Sequence, residues 1–456
     1  MLHTWRPAAR YGSMRVDLAL QRRVFRQVLR VTRIPHPHPR NGCGPCQGRR
    51  RIGRCFTSFG TDMESFDAIV IGAGVIGCSV AYHLARLGSK KVLVLERTQI
   101  GAGTSAQSSG ILRTHYSVIE NVRLAQASWA VFDDFANYLA DEQASAGLVK
   151  CGYLIAAPEG PKLAPLRAAL QAQREQGITV HYLGREEARE RLPIARFDDA
   201  ALIGHEPQAG FADAYLVATS FARAARRLGV KIDEGVAVEQ LLIADGKVVG
   251  VQTSQGAVRA GTVISTQNIW SREIERWTGI ACPVVAERHS VLALEGPEAY
   301  TFRMPVYKDL GSPGMFYCRS YGGSQMLVSE GIRGQILAQP DNEQGEIGMD
   351  YMVEVGAQVA ERFPSYATAG VASSWTGVYD VTPDWNPVLG RLPELPGLVV
   401  GYGFSGHGFK LSPAVGRLLA QCALGLATDV DIAPYALERF RTGGLLIGQY
   451  GLGAVS

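Results

Sequence analysis

The apolar positions between Phe66 and Glu96 change period twice. Asp67 to Ile71 alternates and then runs continuously apolar, which predicts a short buried strand. Val75 to Leu87 carries apolar residues at helical spacing and stops at Gly88; Lys91 to Leu95 is a second apolar run closing on Glu96. Val118 to Leu139 predicts a helix through Val122, Ala125, Trp129, Phe132, Phe135 and Leu139. Cys151 to Ala157 reads as a strand, Lys162 to Gln176 and Arg185 to Arg191 as helices, and Tyr215 to Leu228 as a further helix ended by Gly229. From Val230 the pattern turns to strands, with Asp245-Gly246 as a hairpin signal between Gln240 to Ile243 and Val248 to Gln252. Thr262 to Thr266, Val284 to Leu294 and Met315 to Val328 continue it, the last broken at Gly322-Gly323. A helix is predicted from Met349 to Arg362, stopping before Pro364. Leu398 to Gly403 is a strand, and Ser412-Pro413 predicts the N-cap and first residue of a helix reaching Gly425.

The first of these units has chemistry attached. Gly72, Gly74 and Gly77 stand at G-x-G-x-x-G spacing between a strand and a helix, and Glu96 ends the next strand nineteen residues after Gly77. Gly72 permits the tight turn, Gly74 lets backbone approach a pyrophosphate, and Gly77 lets helix and strand pack closely. The helix N-terminus offers free N–H groups to phosphates, and Glu96 is placed to accept from ribose hydroxyls. Arg97 and Val236 join the same candidate set. So do Thr104 and Ser105, in a loop of small and hydroxyl residues that brings backbone close to a ligand. A second strand, glycine turn and helix start lies at Leu398 to Pro413, with Gly403, Ser405, Gly406, His407, Gly408 and Lys410 in the turn. A cation beside a helix N-terminus suits the negative charge that a flavin develops at N1 and the C2 carbonyl on reduction. Two nucleotide-type turns in one chain argue for FAD, one end held by each.

The 456 residues are 46% hydrophobic and 19% charged, an ordinary globular composition. The net charge of +4 conceals a division: residues 1–61 hold thirteen Arg, no Lys and one acid, so the remainder is mildly acidic. Nothing in that body suggests a nucleic-acid partner, and no apolar run is long enough for a transmembrane helix. The basic start resembles an organellar transit segment; the plainer reading makes Met63 the true start. The expected compartment is cytoplasmic, or the mitochondrial matrix if residues 1–62 are a genuine transit segment. Eight scattered Cys suit a reducing compartment. Cys43-Gly-Pro-Cys46 has the spacing of a redox or zinc half-site but lacks a second pair, and no metal site is expected.

Asp67 to Glu96, the Thr104 to Arg113 loop, Thr262 to Ser271 and Trp375 to Arg417, including Gly403-Phe-Ser-Gly-His-Gly-Phe-Lys410, resemble the D-amino-acid oxidase and sarcosine oxidase family of flavoproteins, the sarcosine oxidase beta subunit in particular. The resemblance implies an α/β (mixed α+β) fold: a discontinuous Rossmann-like FAD-binding domain interleaved with an antiparallel-sheet substrate domain. The FAD domain would take 63–116, 210–284 and 375–440, the substrate domain 117–209 and 285–374, and 441–456 would be a tail. It further implies oxidation of the C–N bond of a small N-methyl or D-amino acid by hydride transfer to flavin, the imine then being hydrolysed. Arg113 and Lys410 would clamp the substrate carboxylate, while Tyr317 and Arg319 lie on the strand that faces the substrate, Arg319 as a second carboxylate ligand. His407 is expected to be fixed in its turn by backbone contacts, and His115 is open between wall residue and base.

Two departures matter. Gly377 stands where several sarcosine oxidases attach flavin through cysteine, so FAD is expected to be non-covalent. The lysine that those oxidases place over the flavin is missing from Ser324 to Val328, with Leu327 near the corresponding place. An apolar side chain gives superoxide no stabilisation, which favours a dehydrogenase delivering electrons to a dye, quinone or partner protein. The alternatives are a non-catalytic FAD-binding assembly factor and a flavin subunit of a multi-subunit amine dehydrogenase.

Overall fold

The computed structural model describes residues 64–331, 334–340 and 344–451. The basic extension, Met63 and the Cys43/Cys46 pair lie outside the described residues. The central strand Ser65–Ile71 runs parallel between Val92–Glu96 and Gly256–Ser265. Lys231–Glu234 extends this parallel set on one side and Leu398–Tyr402 on the other, with Val388–Arg391 antiparallel at the edge. Ile69, Val70, Val94 and Val263 are fully buried, as strands covered on both faces require. A hairpin, Val238–Ala244 and Lys247–Thr253, pairs onto the start of Gly256–Ser265. Its turn uses Asp245 and Gly246 at φ 50° and 71°, the left-handed pair that matches strand twist.

Helix Val75–Arg86 packs against both Ala214–Arg227 and Gly408–Leu424. Small residues allow this: a Cβ on Gly416 would fall 2.1 Å from Ser79 Oγ. Asp213 caps Ala214–Arg227 by accepting from the N–H groups of Tyr215 and Leu216 at 2.8 and 2.9 Å.

A nine-stranded sheet forms the second layer. Its order is Gln335–Leu337, Val285–Glu295, Gln325–Ser329, Tyr317–Ser320, Val306–Asp309, Tyr153–Pro158, Ala200–Glu206 and His181–Tyr182, with Gly370–Val381 along the other edge of Val285–Glu295. All pairings are antiparallel except Val306–Asp309 with Tyr153–Pro158. Tyr307, Cys318, Val328 and Leu292 bury one face against Val355, Val359 and Phe363. Strand alternation therefore turns Lys308, Tyr317 and Val291 to the opposite face. A small sheet of Ile111–Leu112, Gly210–Phe211 and Val149–Lys150 delivers the chain to Arg113.

Several elements differ from the sequence expectation. The second glycine-turn helix is Gly408–Leu424, not a helix starting at Pro413. Packing of Gly408 against Phe404 and Ile76 starts it four residues before Ser412, and Pro413 sits inside it without an N–H for Phe409. Val118 to Leu139 is broken at Asp134 (φ −132°, ψ 47°) into Ile119–Asp133 and Phe135–Tyr138, and Phe135 then meets Phe221 edge to face at 5.4 Å. Gly370–Val381 stays paired with Val285–Glu295 along its length. The tail is packed to residue 451: Leu446 donates its N–H to Asp384, itself in a buried ion pair with Arg439 at 2.8 Å, and Tyr450 meets His115 at 3.0 Å.

Candidate active site

The first glycine turn is closed from within. Gly72 has φ 97°, and a Cβ on Gly77 would lie 1.9 Å from the Gly72 carbonyl, so the helix can start this close only without side chains. Glu96 Oε2 accepts the Ala73 N–H at 2.8 Å, and Oε1 accepts the N–H and hydroxyl of Thr98 at 2.9 and 3.0 Å. Ser105 Oγ accepts the Val75 N–H at 3.1 Å, which seats the hydroxyl loop on the helix N-terminus. Thr104 donates its hydroxyl to Asn268 Oδ1 at 3.1 Å. Gly72, Gly74, Glu96, Arg97, Thr104, Ser105 and Val236 all line one cavity of about 580 Å³, within the range of cofactor sites.

The far end of that cavity is built by the second glycine turn and the nine-stranded sheet. Gly406 and Gly408 line it with Phe404, Tyr317 and Tyr379. Gly403 and His407 do not. Gly403 has φ 76° and donates its N–H to Asp380, while Phe404 donates to the same carboxylate at 3.0 Å. Burial pushes the Asp380 carboxyl up to about 7, against the pull of those N–H groups. His407 is buried edge-on against Tyr116 at 5.1 Å, and neither ring nitrogen has a hydrogen-bond partner among the described residues. The backbone N–H of His407 donates to the Phe404 carbonyl at 2.8 Å, which holds the residue in its turn as expected, while the ring itself is held by packing. Burial first, then Lys410 and Arg113, hold its imidazole well below the usual range, hence neutral.

A smaller cavity of about 70 Å³ adjoins the first and shares Ser109, His289, Tyr317, Tyr379 and Gly406 with it. Ser405 lines it, and Arg113 and Lys410 meet there from opposite ends of the chain. Arg113 lies over the Tyr116 ring at 4.7 Å and donates to the His115 carbonyl. Burial and the Arg113 charge push the Lys410 ammonium well below its ordinary range. Arg319 lines neither cavity. Its guanidinium donates to the carbonyls of Ser109 and Ser320, both at 2.7 Å, and lies 4.4 Å from the Phe211 ring centre. His115 lines neither cavity either; between Gln173 and Tyr450 it is a wall behind Arg113, held neutral by burial with its ring pushed down to about 3.

Four residues of the site were not singled out from sequence. Trp270 lines the large cavity and carries the Arg97 guanidinium 3.7 Å above its ring. Gln107 Oε1 accepts the Val378 N–H at 3.1 Å and ties the hydroxyl loop to Gly370–Val381. His289 lines both cavities, stacks on Tyr379 at 4.1 Å and lies 3.2 Å from the buried Glu287 carboxylate. Lys308 lines the small cavity, its charge being the one signal in an otherwise apolar strand opening.

These residues fit a flavin dinucleotide. The helix start at Gly74 has no side-chain cap from its own N-cap residue, the acid is fixed at the end of the second strand, and glycines leave backbone open at both ends. The family described as FAD dependent oxidoreductase matches residues 67–422. The chain belongs to this family. Membership in the FAD dependent oxidoreductases implies FAD as cofactor. The chain is similar to 4-methylaminobutanoate oxidase (formaldehyde-forming) of Paenarthrobacter nicotinovorans, 28% identical over 380 residues, covering 82% of this chain and 45% of that one. It thus spans about half the length of that relative. The beta subunit of sarcosine oxidase from Arthrobacter sp. is 27% identical over 402 residues, covering 86% and 95% of the two chains. Among solved structures, L-proline dehydrogenase from P. horikoshii superposes with a TM-score of 0.77 at 25% identity, covering 84% of this chain and all of that one. No helix among the described residues is long and apolar enough to cross a membrane, and no cluster of His, Cys, Asp and Glu among them could hold a metal.

Proposed function

We propose that the chain oxidises the C–N bond of a small amino acid, N-methylated or D-configured. The observation that carries this reading is the meeting of Arg113 and Lys410 at one small cavity continuous with the dinucleotide cleft. Two cations converging on one point suit a carboxylate, and charge-assisted contacts from both hold it in one orientation. The relatives named above act on sarcosine and 4-methylaminobutanoate, and the similar solved structure on proline; all three are secondary amines bearing a carboxylate, which favours an N-substituted substrate. Bound FAD supplies the acceptor for the hydride leaving the carbon next to nitrogen, and water hydrolyses the resulting imine. The chain's own residues set the geometry. Lys410 and Arg113 hold the carboxylate, Tyr317 and Tyr379 form walls common to both cavities, and a bound anion favours the charged form of Lys410 against the burial that disfavours it.

We read the enzyme as a dehydrogenase that passes electrons to a quinone, dye or partner protein. Leu327 is fully buried, and no cation stands at its place on Gln325–Ser329. The described cysteines are free thiols, which supports a reducing compartment such as the cytoplasm. The test is anaerobic addition of a panel of N-methyl and D-amino acids, watching the flavin absorbance bleach. Bleaching by carboxylate-free amines as readily as by amino acids would overturn the reading.

A further inference from the structure

Lys308 comes from the middle of the nine-stranded sheet and is only 3% exposed. It pairs in register with Tyr317, and Tyr317 with Ser329, so the three stand in one row across three strands and share a face. That face looks into the small cavity, where Arg113 and Lys410 already converge. Gly331 gives the ammonium its place: a Cβ there would fall 2.1 Å from Lys308 Nζ.

Arg113, Lys410 and Lys308 line one cavity; the Asp309 charge acts on Lys308 and the Glu206 charge on Arg113, but neither acid lines the cavity. The nearby acids are committed elsewhere. Asp309 is held by Arg362 at 2.8 Å and by the N–H groups of Gly311 and Ser312, and Glu206 accepts from the N–H and hydroxyl of Thr114. Glu330 is the acid that lines the cavity; it accepts from Gln358 at 2.8 Å, and burial pushes its carboxyl up, towards the neutral form. One substrate carboxylate answers Arg113 and Lys410. It leaves Lys308 unanswered.

We propose that Lys308 binds a second carboxylate, so that the preferred substrate is a dianionic amine: an N-substituted amino acid with a further acidic arm. This rests on the C–N oxidation reading above and names its substrate class. Mutual repulsion in the ligand-free site agrees with it, since burial and the Arg113 charge push the Lys308 ammonium down to about 7. A dianion reverses that cost, so its binding takes up protons near neutral pH.

The test uses two thioethers that mimic such amines but are not oxidised at nitrogen. Thiodiacetate carries two carboxylates and methylthioacetate one, and each is titrated into the FAD-loaded full chain at pH 7 while flavin absorbance is followed. Thiodiacetate should bind roughly tenfold or more tightly than methylthioacetate, with measurable proton uptake in weak buffer. In Lys308→Met and in Lys308→Gln, both checked for retained FAD, the ratio between the two ligands should fall towards one. Equal affinities in the unaltered chain, or a preference that survives both substitutions, would overturn the inference while leaving the C–N oxidation reading intact. Binding of neither ligand, with no amino acid bleaching the flavin, would overturn both.

Discussion

The carboxylate of Glu96 accepts the backbone N–H of Ala73, so the acid ending the second strand is tied to the middle of the glycine turn that ends the first. Glu96→Arg replaces that acceptor with a bulky donor beside Ala73 and Thr98. The expected outcome is loss of FAD on gel filtration, read from the ratio of flavin to protein absorbance. Glu96→Gln, which keeps one acceptor oxygen, should retain FAD with weaker affinity. Full retention in both would show that the acid does not hold the cofactor.

Lys410→Met and Arg113→Met should each weaken substrate binding by about 2–5 kcal/mol, the usual cost of removing one charged partner of a desolvated carboxylate. Flavin should stay bound in both. Anaerobic flavin reduction measured against substrate concentration separates a change in affinity from a change in the limiting rate.

Acid precipitation should leave FAD in the supernatant. Gly377 lines the large cavity against Gln107 with no side chain to attach, and none of the five described thiols lines it. Flavin in the pellet would mean a covalent bond from another nucleophile, and His289, which lines both cavities, would be the first residue to replace.

Reduced enzyme mixed with aerated buffer in a stopped-flow instrument should be reoxidised far more slowly than it turns over with a dye. A dianionic substrate offsets the cations of the small cavity, and Leu327 adds none. Reoxidation as fast as dye turnover would make the protein an oxidase.

Buried histidines set a pH dependence of stability, and His83 and His115 are two of them. Burial pushes the rings of His83 and His115 down to about 3, so the folded state binds fewer protons than the unfolded state between 6.5 and 3. Stability from each is complete above pH 6.5 and is lost as pH falls, by about 1.4 kcal/mol per unit. The His83 ring bonds to Ser79 O and Tyr138 OH, both at 2.7 Å, which glutamine can partly replace. Denaturant unfolding should show the advantage of the unaltered chain over His83→Gln narrowing by roughly 2 kcal/mol between pH 6.5 and 5. A constant difference would show that His83 is protonated in place.

The parts legible in the sequence were those where local chemistry and tertiary packing agree. The helix Met349–Arg362 follows its apolar period to both ends, and the hairpin at Asp245-Gly246 follows its turn residues. The start of Gly408–Leu424 was hidden, because a run of three glycines reads as loop until Gly408 is seen packed against Phe404 and Ile76. The resemblance of the Thr104 to Arg113 loop and of Gly403 to Lys410 to the family nominated Arg113 and Lys410 for the site. Lys308 was not legible, since nothing in its neighbours along the chain ties it to the site. The residue arrives sideways, through register across neighbouring strands.

Asp380 lies one residue before the end of Gly370–Val381, and its carboxylate accepts from the backbone N–H groups of Gly403 and Phe404 in the second glycine turn. The nine-stranded sheet is thus fastened to the second glycine turn through this one carboxylate, separately from the other side chains that the sheet turns to the cavities. Lys308, Tyr317 and His289 can be exchanged without loosening the fastening. Descent from a common ancestor can therefore change what is oxidised far more readily than how, and divergence among relatives of this chain should concentrate on that sheet face.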